Sequence, residues 1–160
     1  MSPRAAWRLE TLGFGNVADF VPGKQGWYED NQPREGTAAQ ETWAGDVVDA
    51  DVPTCGLDER IGTVRKRVRA GTCVVINAER IVLGLLRSKA LDGDPDATAE
   101  AVMHPGPSTF RPNLPLTELT TFMRDHDIKT NALITTSAGR LIGVISREDV
   151  EATAAHESAS

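Results

Sequence analysis

The side chains best suited to catalysis or metal binding are few in this chain, and their spacing fits neither task. Cys55 and Cys73 lack a CxxC spacing and lack a histidine at ligand spacing, and the three histidines are scattered. Zinc sites depend on such spacings, so the sequence predicts no metal site. Cys73 stands in an apolar run, where a buried thiol behaves as a small hydrophobic residue.

A second set of polar residues follows a predicted strand near the C-terminus. Gly143, Ser146 and Asp149 recur every three residues around the point where this strand gives way to a helix. At such a switch a hydroxyl and free backbone N–H groups can meet a phosphate. Ser146 is a good helix N-cap candidate, whereas Asp149 lies too far into the helix to be its cap. Ligand contact and a purely structural role are both open here.

These residues end a unit that the chain contains twice. An offset of 55 residues aligns Asp58 with Asn113, and the offset becomes 59 where Gly84 aligns with Gly143. Each copy has a short extended segment, an amphipathic helix and two apolar strands joined by a tight turn. One copy leaves the apolar face of its helix uncovered, so two copies must pack together to form a core.

Capping residues and apolar runs predict the elements of each copy. Asp58 and Asn113 are expected to cap the two amphipathic helices, and Asp94 is expected to cap a further helix over Pro95–Met103. The sequence also predicts a β-hairpin in each copy, from the runs 73–76 with 81–86 and 132–135 with 141–145.

The composition is that of a globular protein with acidic character. The chain has 160 residues, of which 40% are hydrophobic and 25% are charged, and a net charge of −6. This charge argues against the nucleic-acid backbone as main partner. No apolar run approaches the length of a membrane span, and the N-terminus lacks the layout of a secretory signal. We therefore expect a cytoplasmic protein with no membrane and no nucleic-acid partner.

The C-terminal run 139–150, together with Ala101–Pro105 and Ser108-Thr109 ahead of it, strongly resembles a CBS domain, named after cystathionine β-synthase. The resemblance covers both repeats. It implies an α/β (α+β) fold of two β-α-β-β-α repeats, packed sheet to sheet as a pseudo-twofold pair with a small irregular N-terminal extension. The expected boundaries are an N-terminal segment and linker at 1–43, repeats at 44–92 and 93–152, and a disordered tail at 153–160.

The resemblance also implies a ligand site. The family's ligand motif is a glycine, an apolar pair, a serine or threonine, two variable residues and an aspartate, and Gly143, Ser146 and Asp149 match it. It implies that Gly143 passes close to a flat base, that Ser146 meets a phosphate, and that Asp149 accepts both hydroxyls of a ribose.

Further positions complete the candidate site. Thr109 and Phe110 are expected to supply backbone contacts and a wall to the base, and Arg147 is included beside Ser146. The first copy departs from the motif, because Arg87 stands at the hydroxyl position and Ala90 replaces the acid. Arg87 could meet a phosphate or lie at a solvated helix start. One ribose site is expected rather than two.

The N-terminal segment carries a second resemblance. Ser2–Ala6, Leu12–Phe14 and Pro33–Gly36 look like the last third of a rhodanese domain. In that family a cysteine thiolate starts the active loop, and here that cysteine would stand before residue 1. Without a thiolate there is no sulfur acceptor. We therefore expect residues 1–43 to be a rhodanese-like remnant and linker, and the protein not to be an enzyme.

Together these features predict a regulatory module that senses an adenosine nucleotide (AMP, ADP or ATP) and requires no cofactor. S-adenosylmethionine is a further ligand that the resemblance allows. The expected partners are the small molecule, a second copy in a homodimer, and an effector protein. Two alternatives stay open: a ligand-free dimerisation module, and the C-terminal part of a rhodanese-like sulfurtransferase fused to CBS domains.

Overall fold

The computed structural model describes residues 8–17, 21–30, 32–36, 41–68, 71–128 and 131–158, with side chains as far as residue 153. Residues 8–11 are helical. The named helices are α1 Gly23–Glu29, α2 Ile61–Arg67, α3 Ser88–Leu91, α4 Ala99–Val102, α5 Leu116–Asp125 and α6 Arg147–Ser158, with a 3-10 turn at Ala44–Asp46. The strands are β1 Thr54–Cys55, β2 Thr72–Ile76, β3 Val82–Arg87, β4 His104–Pro105, β5 Thr109–Phe110, β6 Ala132–Thr135 and β7 Leu141–Ile145.

Two sheets carry the repeats, in the predicted α+β arrangement. The first has the order β1-β2-β3-β4 and the second the order β5-β6-β7. In the first repeat β1 pairs parallel with β2, and β2 and β3 form the predicted antiparallel hairpin. In the second repeat β5 pairs parallel with β6, and β6 and β7 form the predicted hairpin. Both hairpin predictions are confirmed.

The segment ahead of each repeat packs on the other repeat. β4, from the start of the second repeat, extends the first sheet through the pairing of His104 with Leu85. In the equivalent place Asp49 pairs with Val144 of β7, with N–O distances of 2.8 and 2.9 Å in the two directions. This exchange of segments joins the two copies by backbone hydrogen bonds and brings them close enough to cover the apolar faces of the helices.

The exchange also explains why the predicted helix caps are wrong. α2 begins at Ile61 and α5 at Leu116, each three residues after the polar residue that was expected to cap it. The N–H of Ile61 donates to the carbonyl of Ala97 (3.0 Å), and that of Leu116 donates to the carbonyl of Thr42 (2.9 Å). Because main chain from the second repeat and from the segment just ahead of the first repeat satisfies these free N–H groups, no side-chain cap is needed.

The predicted helix over Pro95–Met103 is shorter than expected. Residues 95–97 form a turn, and α4 spans Ala99–Val102 only. The carbonyl of Pro95 accepts the N–H of Gly62 (2.9 Å), and the N–H of Ala99 donates to the carbonyl of Glu59 (2.8 Å). Tertiary hydrogen bonds to the start of α2 therefore replace the first helical turn.

The core has three parts. One cluster lies under each sheet, around Ile61 and Leu86 in the first repeat and around Leu116 and Ile145 in the second. A third cluster joins the facing surfaces of the two sheets and contains Val74, Leu85, Leu133, Leu141 and Val144. The expected sheet-to-sheet packing is therefore observed, and apolar burial from both repeats stabilises the pair.

The N-terminal helix α1 lies on the second repeat. The Glu29 carboxylate accepts the backbone N–H of Ser137 at 2.6 Å. Partial burial is the largest single influence and would raise the pKa of Glu29, but the hydrogen bonds from Ser137 and Gln25 and the nearby charge of Arg111 together lower the pKa. Arg34 binds Asp46 at 2.6 Å and lies over the Trp43 ring, 4.3 Å from its centroid. These contacts attach residues 23–36 to the repeat pair.

The C-terminal residues differ from the expected disordered tail. α6 continues to Ser158, so most of the segment 153–160 is helical, and its last two residues lie outside the described part of the chain. The alanines in this stretch favour helix, which outweighs the small, polar character that suggested a tail.

Candidate functional site

The candidate residues lie at two repeat-related places, where the first segment of one copy runs beside the last strand of the other. At the end of β3, beside His104, an open cavity lies next to Arg87, and we call it the Arg87 cleft. The equivalent surface at the end of β7 has Asp49 in place of His104 and Ser146 in place of Arg87, and by this equivalence we call it the Asp149 cleft. The predicted site residues divide between these two places.

The Arg87 cleft is an open cavity of about 180 Å³. This is smaller than the roughly 300–1,000 Å³ of typical small-molecule pockets, so a nucleotide there would remain partly exposed. Its lining combines a cation, polar groups and apolar walls, and includes Arg87, His104, Ser108, Phe110, Asn131 and Leu133. The Phe110 ring is held from behind by Phe122, at 5.2 Å in an edge-to-face contact.

At the Asp149 cleft, Ser146 and Asp149 hold each other. The Ser146 hydroxyl donates to Asp149 Oδ2 at 2.6 Å and accepts the backbone N–H of Asp149 at 3.1 Å. Ser146 therefore caps α6, as the sequence suggested, and fixes the orientation of the carboxylate. Asp149 is exposed, and its Oδ1 has no hydrogen-bond partner within the described residues. An oriented carboxylate with a free oxygen is suited to accept hydroxyl groups.

The structure gives Gly143 a packing role. A Cβ at this position would lie far inside contact distance of the Asp49 carbonyl oxygen and 2.8 Å from Val48 Cγ2. The missing side chain thus lets residues 48–49 pair with β7. Contact of Gly143 with a base remains a prediction. The observed role of this glycine is to let the backbone of Asp49 approach β7 closely.

The other predicted residues lie apart from Asp149. Phe110 and Arg87 line the Arg87 cleft, and Thr109 is exposed in β5, level with Leu133. Arg147 donates to Glu151 at 2.7 Å, and this hydrogen bond raises the pKa of Arg147. Its side chain lines a small groove between α5 and α6. The structure therefore brings together Gly143, Ser146 and Asp149, and separately Arg87 and Phe110.

Sequence reasoning missed several cleft residues. His104, Ser108 and Asn131 line the Arg87 cleft, and Asp49 borders the Asp149 cleft. The repeat offset of 55 residues, which aligns Asp49 with His104, is a signal that could have found the last of these.

The two cysteines lie in the core of the first repeat. Cys55 and Cys73 are 3% and 0% exposed, which confirms the expected small-hydrophobe role of Cys73. A hydrogen bond between the thiols lowers the pKa of Cys55 and raises that of Cys73. Across the described residues no group of histidine, cysteine and acidic side chains is arranged to hold a metal ion.

The Ser146 cap can be tested by substitution. Ser146→Ala removes the hydroxyl that binds the N–H of Asp149, so we expect a loss of about 1 kcal/mol in the free energy of unfolding. Ser146→Thr keeps a hydroxyl and should retain most of the stability. Urea denaturation followed by circular dichroism measures both, and equal stability of all three proteins would contradict the capping role.

Comparison with known proteins identifies the fold. Residues 99–153 match the family model for the CBS domain. The fold is that of a CBS-domain pair: the structure of the CBS domain pair of protein MJ0100, in complex with 5'-methylthioadenosine and S-adenosyl-L-methionine, matches with a TM-score of 0.62 and 15% identity. That match covers 73% of this chain and 98% of the other.

Two further solved structures show the same fold. CBSX2 in complex with AMP matches with a TM-score of 0.61 and 16% identity, over 72% of this chain and 98% of the other. The cytosolic domain of the Mg²⁺ channel MgtE in complex with ATP matches with a TM-score of 0.65 and 18% identity, over 72% of this chain. The present chain spans 51% of that channel domain. A comparison with curated proteins gives no significant match.

The matches do not extend to the second resemblance. The family model is that of the CBS domain, and neither this model nor the three solved structures name a rhodanese-like segment. Among the described residues no helix is both long enough and apolar enough to cross a membrane.

Proposed function

We propose that this protein is a regulatory module that binds an adenosine-containing ligand in a cleft between its two repeats. The CBS-pair fold supports this proposal, since structures of the same fold are described in complex with ATP, with AMP, and with S-adenosyl-L-methionine and 5'-methylthioadenosine. The activity proposed is binding and signalling without catalysis.

The observation that carries the proposal is the carboxylate of Asp149. It is exposed, it is oriented by the Ser146 hydroxyl at 2.6 Å, and it keeps one oxygen available. The two hydroxyls of a ribose are donors of the right spacing for one carboxylate. In the first repeat Ala90 stands at the equivalent position and offers no acceptor, so a single ribose site is proposed.

The Arg87 cleft is the second place where ligand groups would bind. It offers the guanidinium of Arg87, which has no ion-pair partner among the described residues, and the apolar ring of Phe110. A cation beside an apolar wall suits a phosphate and a base. It lacks the carboxylate, so we propose the ribose site at Asp149 and a separate phosphate-binding position at Arg87.

Regulation follows from the place of the clefts. Each cleft is bordered by segments from both repeats, so a bound ligand contacts both. A ligand shifts an equilibrium only by its difference in affinity between two states, and contacts to both repeats allow such a difference. The output would pass to an effector protein, and the module would act as a homodimer.

Two observations favour the alternative of a ligand-free dimerisation module. The Ser146 hydroxyl already bonds to Oδ2 and to the backbone N–H of Asp149, and the cavity at Arg87 is small. In this alternative the motif residues only begin α6, and the repeats serve assembly.

Calorimetric titration of the full chain with AMP, ADP, ATP and S-adenosylmethionine distinguishes the two functions. We expect at least one of these ligands to bind with one ligand per chain. A parallel change in tryptophan fluorescence is expected, because Trp43 is buried and its main chain pairs with Pro115 of the second repeat. No heat and no fluorescence change with any of the four would contradict the proposal and favour the ligand-free module.

Repeating the titration on Arg87→Ala tests the second cleft. If Arg87 contacts a phosphate, ATP and ADP should lose more affinity than S-adenosylmethionine, which carries no phosphate. An equal loss for all four ligands would contradict a phosphate contact at this residue.

A further inference from the structure

The N-terminal segment is attached to the repeats by polar and aromatic contacts rather than by burial of apolar side chains. We call its described residues 23–30 and 32–36 the strap. The helix α1 lies in the strap and has no buried residue, and Trp27 is 38% exposed. Segments that bury few apolar side chains open at a much lower free energy than the whole domain unfolds. The strap can therefore detach while both repeats stay folded.

Charged and aromatic side chains hold the strap in place. Glu29 accepts the backbone N–H of Ser137, in the turn between β6 and β7, at 2.6 Å. Tyr28 meets the ring of Trp43 edge-to-face, with the two ring centroids 4.6 Å apart. Arg34 adds an ion pair that joins the strap to the segment ahead of the first repeat.

The Arg34 ion pair centres on one carboxylate oxygen. Asp46 Oδ2 accepts Arg34 Nη2 at 2.6 Å and the backbone N–H of Trp43 at 2.9 Å. The side chains of Arg34 and Asp46 are 17% and 25% exposed, and the guanidinium lies 4.3 Å from the centroid of the Trp43 ring. Charge-assisted hydrogen bonds are strong, and partial burial reduces their screening by salt. We call the pair of Arg34 and Asp46 the latch.

The latch continues directly into the backbone that borders the Asp149 cleft. Asp46 ends the 3-10 turn, and Asp49, three residues further on, exchanges two hydrogen bonds with Val144 of β7. Between them Val47 and Val48 pack against the core cluster of the second repeat. Closely packed groups transmit a displacement rather than absorb it. A change at the latch therefore reaches the edge of the cleft.

We propose that the latch couples the strap to the Asp149 cleft, so that a bound ligand and the attached strap stabilise each other. The coupling rests on the proposed function and names part of its regulation. A ligand beside Asp49 and the latch both favour one arrangement of residues 46–49, so each reduces the entropy that the other must remove. The factor by which the attached strap raises ligand affinity equals the factor by which the ligand raises strap attachment.

Hydrogen exchange of the full chain, followed by mass spectrometry, tests the latch without any ligand. Arg34→Met removes the charge and keeps a long side chain, so exchange in the strap should become roughly 5- to 20-fold faster. Exchange in residues 46–49 should also become faster. Exchange in β2, which belongs to the first sheet, should stay unchanged and shows that the fold is intact. Lys24→Met removes an exposed cation of the strap and should change none of these rates.

A second variant separates a direct latch from general loosening. Asp46→Asn removes the partner charge, while its amide oxygen can still accept the N–H of Trp43, so it should speed exchange in the strap as Arg34→Met does. The double variant R34M/D46N should exchange no faster than Arg34→Met alone, because the two side chains form one contact. Additive effects of the two substitutions would overturn the latch.

The ligand arm uses whichever of AMP, ADP, ATP and S-adenosylmethionine the parent protein binds. A saturating concentration should slow exchange in the strap roughly fivefold or more, and Arg34→Met should lose ligand affinity by at most the same factor. A ligand that binds without slowing the strap, or unchanged exchange of residues 46–49 in Arg34→Met, would overturn the coupling. If none of the four ligands binds, the proposed function and the ligand coupling both fail, while exchange of residues 46–49 without ligand still supports or contradicts the latch.

Discussion

Replacing Asp149 by alanine is expected to weaken binding of the adenosine ligand at least roughly tenfold. A hydrogen bond to a charged group contributes about 1.5–3 kcal/mol, and the substitution removes an acceptor that is oriented by Ser146 and exposed to the cleft. The measurement is calorimetric titration with whichever of the four ligands the parent protein binds most tightly.

Two variants make the test specific. Glu79→Gln removes a carboxylate from an exposed hairpin turn, so the affinity should stay that of the parent. Asp149→Asn keeps the size of the side chain but removes its charge, so its loss of affinity should be intermediate. If Asp149→Ala binds as tightly as the parent, the ribose does not sit on this carboxylate. If only Arg87→Ala loses binding, the ligand belongs to the other cleft.

The repeat offers the reverse experiment. Ala90 occupies the position equivalent to Asp149, so Ala90→Asp would supply the missing acceptor at the Arg87 cleft. A second ligand bound per chain in this variant would support the idea that one carboxylate decides whether a cleft accepts ribose.

Replacing Gly143 by alanine is expected to lower the free energy of unfolding by about 3 kcal/mol, the upper part of the usual range for overpacking. The new methyl group would meet the Asp49 carbonyl oxygen and Val48 Cγ2. Asp49 is held by two hydrogen bonds to Val144, so its backbone cannot move aside without breaking the link between the repeats. Domains of this kind are stable by only about 5–15 kcal/mol, so the effect is large.

Gly84→Ala is the matched control. A Cβ there would meet the side chain of Met103, with Cγ at 2.9 Å, and the carbonyl oxygen of His104 at 3.1 Å. The flexible Met103 side chain can move, so we expect a loss of about 1 kcal/mol. Urea unfolding gives both values, provided that the dependence on denaturant is unchanged. Equal losses for the two variants would contradict the role assigned to the Asp49 backbone.

The predictions for Asp149 and Gly143 both concern the end of β7, which has a structural and a proposed ligand-binding role. The end of β7 joins the second repeat to the segment ahead of the first, and it presents Asp149 to the cleft beside that segment. A ligand bound at Asp149 therefore lies next to the contact that holds the copies together, which is the physical basis proposed for signalling.

The sequence by itself determined the repeat and the two hairpins. These depend on local periodicity and on short turns, which are visible in a few consecutive residues. The motif residues around Ser146 came from the resemblance to the CBS family, and Ser146 caps α6 as its position at the end of a strand suggested.

Only the tertiary structure decided where α2 and α5 begin and why residue 143 must be a glycine. It also decided how the candidate residues divide between the two clefts. The backbone carbonyls of Ala97 and Thr42 accept the N–H groups of Ile61 and Leu116, and the pairing of the two repeats presses Asp49 against Gly143. It also sets Phe110 beside Arg87. Such contacts join residues far apart in the chain, and no local pattern encodes which distant main chain will pack beside a given strand or helix.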